Sequence, residues 1–392
     1  MRSVLCYNVP IMHKIYLDNA ATTKPLDLLK DIYADYAGSA WQNPSALYLP
    51  AVNAKRRLME SSSLLLSAFG GESHRCLFTS GGTEGANMVV FCGAKNKKGM
   101  NYVCGGLEHP CVDECFRQLT QSGADVRFVA TDQAGAVLPE KVADAVDSNT
   151  ALVSIIHVNN ETGAKNDIEA IASLVKAKNQ DVLFFSDGVQ AFMREPLADV
   201  SNIDYYTVSA HKLHAHKGTG ALFFSKDAPL KPFFWGGGQQ NGLRSGTENT
   251  LGIFSFAKAV EYHRDNTAKL RSGIRKINAA FVSALNGLEG VRFLTPDGNQ
   301  GCAHIVTLAF EGVNGETLLH ALEAKGINIS NGSACSSKKG KNRLRAALRL
   351  PDTIANGVIR VSFSIYNTVE DAETAAFEIK KTALKLRQYT RG

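Results

Sequence analysis

Lys212 closes the run Ser209-Ala210-His211-Lys212, directly after the apolar stretch DYYTVS. A lysine at a strand end can enter a cleft, hold its proton less tightly and condense with a carbonyl group. Asp187 ends another apolar run, VLFFSD, and Gln190 follows three residues later. A carboxylate there lies where open sheets bind ligands. It can keep a pyridine nitrogen protonated, which makes the ring an electron sink. Singly, each residue has a plainer reading: a solvated lysine and a helix N-cap. Together, 25 residues apart at the ends of successive apolar segments, they have the spacing that a pyridoxal 5'-phosphate site requires.

Other segments add to this pair. Ser80-Gly81-Gly82-Thr83-Glu84-Gly85 follows a strand-like run and opens a helical one. Its glycines let backbone N–H groups approach an anion, and Thr83 adds a hydroxyl, although a tight strand-to-helix turn would need the same residues. No Lys-Ser/Thr follows the glycines, so this is not a P-loop. Glu108-His109 follows NYVCGG, and an imidazole there could stack on an aromatic ring or be purely structural. Asn159-Asn160-Glu161-Thr162-Gly163 follows ALVSIIHV and reads as a turn able to present an amide. Arg244-Ser245-Gly246-Thr247 closes a glycine-rich loop suited to phosphate or carboxylate. Cys335 lies in the small polar loop SNGSACSS, followed by Lys338, Lys339 and Lys341. It has no apolar neighbours to bury it, and nearby lysines favour its thiolate, so it reads as reactive.

The elements that must carry these residues alternate. Apolar runs at 75–80, 101–106, 125–130, 151–158, 182–187, 204–210 and 219–225 are separated in several places by amphipathic helical patterns such as 51–69, 111–123 and 167–179. Strand then helix, repeated, predicts an α/β sheet, mostly parallel and covered on both faces. From 250 to 286 the pattern predicts one long helix. A strand, a helix, a short strand, a loop, another strand and a closing helix follow, which describes a smaller α+β unit. The expected division gives a large domain at 21–260, with 1–20 and 261–392 forming the small one.

At 392 residues the chain suits two packed domains. The net charge of +6 is mild and scattered, so direct DNA binding is not expected. No apolar run is long enough to span a bilayer. The first residues lack the pattern of a secretion or transit signal, and Met12 is as reasonable a start as Met1. Eight thinly spread cysteines suit a reduced, cytoplasmic setting. Cys111 and Cys115 could share a helix face, but nothing follows them at zinc-site spacing, and no metal is assigned.

Taken in order, YLDNAATT (16–23), FTSGGTEGAN, EH, HVNNETG, SDGVQ, SAHK, GGGQQNGLRSGT, SNGSACSS and IRVSFSIYNT resemble the cysteine desulfurases of the NifS/IscS type, within the class-V aminotransferases. The resemblance runs from Ile15 to the C-terminal helix. It implies the type I fold of pyridoxal-phosphate-dependent transferases, with a seven-stranded, mostly parallel sheet. It implies that Lys212 links to the cofactor, Asp187 pairs with the ring nitrogen and Gln190 with the ring hydroxyl. His109 would stack on the ring and move protons. Gly82, Thr83, Ser209 and His211 would hold the phosphate, while Asn160 would touch both cofactor and substrate. Arg360 would grip the carboxylate of L-cysteine, and Cys335 would take its sulfur as a persulfide for an acceptor protein serving iron–sulfur assembly or tRNA thiolation. Thr247 would reach the cofactor of a second subunit, which implies a homodimer.

Three departures mark this chain. Tyr48 ends a segment where the resemblance expects histidine, Ala215-His216 replaces Gly-Pro, and the cysteine loop is one residue short. Leu348 lies thirteen residues after Cys335, as in members that deliver sulfur directly, and the 338–343 run is unusually basic. That run suggests an acidic acceptor or one acting on RNA. A selenocysteine lyase, a class-V aminotransferase without need of Cys335, and a catalytically silent scaffold are the competing functions.

Overall fold

Apolar strand runs alternating with amphipathic helices leave a backbone little choice but to stack in layers. The computed structural model describes residues 14–94, 99–331 and 343–390. Its strands are β1 (Ile15–Tyr16), β2 (His74–Thr79), β3 (Asn101–Gly105), β4 (Asp125–Val129), β5 (Thr150–Ser154), β6 (Leu183–Asp187), β7 (Tyr205–Ser209), β8 (Gly220–Ser225), β9 (Val291–Phe293), β10 (Ile305–Phe310), β11 (Ile327–Asn328), β12 (Ser330–Asn331) and β13 (Val358–Ser362). Its helices are α1 (Leu29–Asp35), α2 (Leu49–Phe69), α3 (Gly82–Met88), α4 (Pro110–Gln121), α5 (Pro139–Asp144), α6 (Ile168–Lys178), α7 (Thr250–Asp265), α8 (Thr267–Leu285), α9 (Gly315–Glu323), α10 (Arg343–Leu348), α11 (Asp352–Ala355) and α12 (Val369–Thr390).

The large sheet has seven strands in the order β2-β8-β7-β6-β5-β3-β4. Only β8 runs against its neighbours β2 and β7; the other pairs are parallel. The expected mostly parallel sheet is therefore present. Alternation along β6 shows how it is covered. Phe184 joins the core formed with α2, α6 and α7, whereas Leu183 and Phe185 join the core formed with α3 and α4. All five residues of β6 are buried, as a doubly covered strand requires. Truncating Phe184 to alanine would cost about 3–5 kcal/mol.

A second, antiparallel sheet has the order β12-β13-β10-β9. Ile277 and Phe281 of α8, Leu318 and Leu322 of α9 and Ile379 of α12 pack on its core. Ile15 and Leu17 join the same core, and β1 forms a separate two-stranded parallel sheet with β11, Ile15 against Ile327. The long helix expected over 250–286 is instead two, α7 and α8. Asn266 leaves the helical region (φ −118°, ψ 11°), and its side-chain amide donates to the Tyr262 carbonyl at 2.9 Å, closing the first helix.

Candidate active site

Strands β2, β3, β5, β6 and β7 all point the same way, so the segments after them gather at one edge of the large sheet. That edge is where open α/β sheets bind ligands. Asp187 ends β6 and is buried; its Oδ1 accepts the Val189 N–H at 2.9 Å. Burial pushes its carboxyl up to about 6, partly offset by that bond and by the nearby Lys212 charge. Lys212 lies just past β7. Its Nζ donates to the carbonyls of Ala20 and Ala21 at 2.6 and 2.7 Å. Burial, with Arg360 and Arg194 nearby, lowers the ammonium to about 8 against the pull of Asp18 and Asp187. The amine is therefore primed for nucleophilic and proton-transfer work near neutral pH.

His109 follows β3 and caps α4: its Nδ1 accepts the Cys111 N–H at 3.2 Å and lies 3.0 Å from the Cys111 Sγ. Accepting at Nδ1 leaves the proton on Nε2. Burial, then the charges of Lys212 and Arg343, hold the imidazole neutral, with its pKa lowered to about 4. Ligand atoms of His109, Cys111 and Asp187 lie within 4.8 Å of one another. The carboxylate, the imidazole and the amine thus share one pocket.

The glycine turn lies beside them. Gly81 has φ 153°, and a β-carbon there would come within 3.1 Å of the Ser209 Oγ, so only glycine leaves this approach open. The Gly82 N–H donates to Ser209 Oγ at 3.0 Å, and Thr83 is exposed at the head of α3. The His211 Nδ1 lies 3.1 Å from the Thr22 hydroxyl. Gln190 is buried; its amide donates to the Ala20 carbonyl at 2.8 Å and accepts from Arg194 at 3.2 Å, which leaves one amide proton for another acceptor.

Arg360, on β13, comes from the second sheet. It donates to the Asn160 carbonyl at 2.8 Å and to Asp18 Oδ1 at 2.7 Å, while its Nε is buried with no partner among the described residues. Asn160 thus meets Arg360 through its backbone; the fully buried amide of that turn is Asn159. Thr247 is exposed. Cys335 lies outside the described residues, as do Lys338, Lys339 and Lys341. Arg244 is paired with Glu84 at 2.9 Å, so this member of the glycine-rich loop braces α3 and is not held out for an anion.

Several residues here had no role in the sequence reading, although Asp18, Ala20 and Ala21 lie inside YLDNAATT and Glu108 precedes His109. Asp18 holds Arg360, and Ala20 and Ala21 hold Lys212. Buried Glu108 accepts the Ile156 N–H at 2.6 Å. Arg194 donates to the backbone carbonyl of Lys212 and to Gln190. Arg194 alone lies outside every motif that the sequence singled out.

A buried carboxylate, a neutral imidazole and an amine of lowered pKa gather at the carboxyl ends of parallel strands, an arrangement able to move protons near neutral pH. Residues 15–374 match the Aminotransferase class-V family, and the chain belongs to it. It is 35% identical over 371 residues to the NifS/IcsS protein homolog of Lactobacillus delbrueckii subsp. bulgaricus, covering 93% of this chain and 96% of that one. It is 33% identical over 384 residues to the putative cysteine desulfurase IscS 1 of Bacillus subtilis, covering 96% and 100%. Among solved structures, a NifS-like protein superposes with a TM-score of 0.88 at 29% identity, covering 95% of this chain and 100% of its own.

The family works with pyridoxal 5'-phosphate. The residues present fit that group. The approach at Gly81 lies beside the Ser209 hydroxyl, Asp187 keeps Oδ2 for a ring nitrogen, and the Lys212 amine lies in the same pocket. Among the described residues no helix is long and apolar enough to cross a membrane.

Proposed function

We propose that this chain is a cysteine desulfurase, converting L-cysteine to L-alanine and passing the sulfur, as a persulfide on Cys335, to an acceptor protein. The observation that carries the reading is the convergence of Lys212, Asp187 and His109 on one pocket, with Arg360 beside it. Pyridoxal phosphate supplies, when bound, the electron sink that loosens the α-hydrogen and then the carbon–sulfur bond. Asp187 keeps the ring nitrogen protonated, Gln190 donates to the ring hydroxyl, and Gly82, Thr83, Ser209 and His211 hold the phosphate. Asn160 and Arg360 position the amino acid, the planar guanidinium matching its carboxylate. Lys212 moves the proton at the α-carbon, and the Nε2 proton of neutral His109 serves the β-carbon, which keeps the electron pair of the breaking C–S bond. Cys335 attacks that sulfur as a thiolate: the S–S bond forms as the C–S bond breaks, and the β-carbon takes a proton to give alanine.

In the same reading residues 21–260 hold the cofactor, and 1–20 with 261–392 bring the substrate side. Exposed Met59, with Pro44 and Ser45, shares a surface hollow with Gly237–Gln240 and Glu248 of the loop carrying Thr247, and Trp41, Leu47, Leu49 and Trp235, neighbours of these segments in sequence, are exposed too, as suits contact with a second copy of the chain. The six cysteines among the described residues are all free, which suits a reducing cytoplasm. The deciding experiment gives the purified protein L-cysteine, then follows alanine release and the mass of the Cys335 peptide. An added sulfur on Cys335 with stoichiometric alanine is expected. Amino-group exchange without sulfur transfer would make the chain an aminotransferase, and full alanine release from Cys335→Ala would overturn the assigned nucleophile.

A further inference from the structure

Behind the Lys212 turn, away from the residues assigned to the reaction, lies a cavity of about 100 Å³. It is bounded by the Met193–Glu195 loop, by His214, by α7 and α8, and by the segment around His304. That volume holds several waters or one small oxyanion. Two histidines line it almost fully buried: His263 is 5% exposed and His304 3%. The Nε2 of each, and the Nε of Arg271, are buried without a hydrogen-bond partner among the described residues. Three orphaned polar atoms around one cavity are more than a folded protein leaves without a use, because each lost partner costs about 1–3 kcal/mol.

The charge around these groups has one sign. Arg194, Arg271 and Arg275 line the cavity, and Arg275 continues with Lys276 into a shallow basic depression outside it. The acidic neighbour, Glu195, is occupied by Lys165 at 3.1 Å. The ring of His214 stacks on that of His263 with centroids 5.7 Å apart. Burial and the Arg194 charge keep the His263 and His304 imidazoles neutral at physiological pH, each carrying one N–H. The arginines repel a metal cation, and among the described residues the ligand atoms that cluster closely enough for one are those of His109, Cys111 and Asp187. Leu270, Ile274, Phe363 and Ile365 supply apolar walls. Met193 and His214, both non-glycine residues, hold φ at 63° and 62° on opposite flanks. Backbone strain of this kind gathers at ligand sites.

We propose that this cavity is a second binding site, for a small oxyanion and by preference a short-chain carboxylate, recognised by His263, Arg271 and His304. The arginines and imidazole N–H groups take the anionic head, and the apolar walls take its short tail. Arg194 links the site to the reaction, because its guanidinium lines the cavity while donating to Gln190 and to the carbonyl of Lys212.

Calorimetry on the cofactor-loaded protein with sodium propionate and, separately, sodium sulfate tests this without cysteine, so it reads independently of the desulfurase assignment. The cofactor's phosphate pocket is filled under these conditions. One saturable event per chain is expected, tighter for propionate. Arg271→Gln or His304→Asn should weaken it at least tenfold while leaving the visible cofactor spectrum unchanged. Tighter sulfate binding with the same response to the variants would keep the oxyanion site and remove the carboxylate preference. Absence of saturable binding, or variants that bind as the unchanged protein does, would overturn the site. Should either variant fail to fold, crystals of the unchanged protein soaked in selenate decide: anomalous density between His304 and Arg271 supports the proposal, and ordered water only overturns it.

Discussion

The Nζ of Lys212 donates to the carbonyl of Ala20 at 2.6 Å, so the reactive amine is held by a segment far from it in the chain. Two carbonyls and no carboxylate take its protons at close range, while Arg360 and Arg194 add repulsion. Burial first, then that repulsion, outweighs the pull of Asp18 and Asp187 and holds the amine to about 8. In cofactor-free protein, Lys212 is therefore expected to react with an amine-directed reagent at a rate that rises through about pH 8. Peptide mass spectrometry measures this; a half-maximal rate near pH 10, where ordinary lysines titrate, contradicts it.

Asp187 predicts a trade between stability and function. Its carboxyl is raised from 3.8 to about 6, so between those pH values the folded protein binds more protons than the unfolded chain. Stability falls as pH rises through that window, and the penalty is fully present above 6. Asp187→Asn keeps an oxygen for the Val189 N–H. It should stabilise the cofactor-free protein by about 1–2 kcal/mol at pH 7.5, with the gain vanishing near pH 4. Urea unfolding at both pH values reads the difference, and the same variant should lose most of its affinity for pyridoxal phosphate.

Arg360 already has two planar contacts, to Asp18 and to the Asn160 carbonyl, and a buried Nε left over. A lysine cannot reproduce that fork. Arg360→Lys should raise the KM for cysteine at least about tenfold, a loss of about 1.4 kcal/mol, with a smaller change in kcat. Steady-state kinetics in which KM stays constant would remove Arg360 from the substrate side.

Cys335→Ala should lower alanine release by at least about 100-fold while the protein stays yellow with bound cofactor. Replacing Lys338, Lys339 and Lys341 by glutamine should slow sulfur delivery to an acidic acceptor more than alanine release. Equal effects on both, measured in one transfer assay, would show that the basic run has no part in docking.

Leu47 is 94% exposed and Leu49 71%, close in sequence to Pro44 and Ser45, which share a surface hollow with Glu248 of the Thr247 loop. Leu47→Asp with Leu49→Asp should turn a dimer into a monomer in sedimentation velocity and weaken cofactor retention. A chain that is monomeric before any substitution would refute the shared site.

The sequence made the sheet legible because each of its strands is a short apolar run bounded by turn residues. Asp187 and Lys212 stood out for the same reason, since each ends such a run. What stayed hidden was long-range. Asp18 meets Arg360 across 342 residues, and no local pattern announces such a pair. Arg194 reads as one more charge in a loop, and only the folded chain turns it toward Gln190 and Lys212. The break at Asn266 was hidden differently, because helical periodicity continues on both sides of it and only the side chain's bond to Tyr262 ends the first helix.

The parallel pairing of Ile15 with Ile327 has a consequence for how the molecule is made. On the ribosome the large sheet can assemble as its strands emerge, but the opening strand has no partner until most of the chain has been translated. During that interval the segment of Ala20 and Ala21 lacks the anchor that β1 gives it and rests on the large sheet's loops, through Gln190 to the Ala20 carbonyl and Thr23 to the His211 carbonyl. The cover over the lysine is therefore completed by the last part of the chain, and until that part arrives the amine is fastened less firmly than in the finished protein.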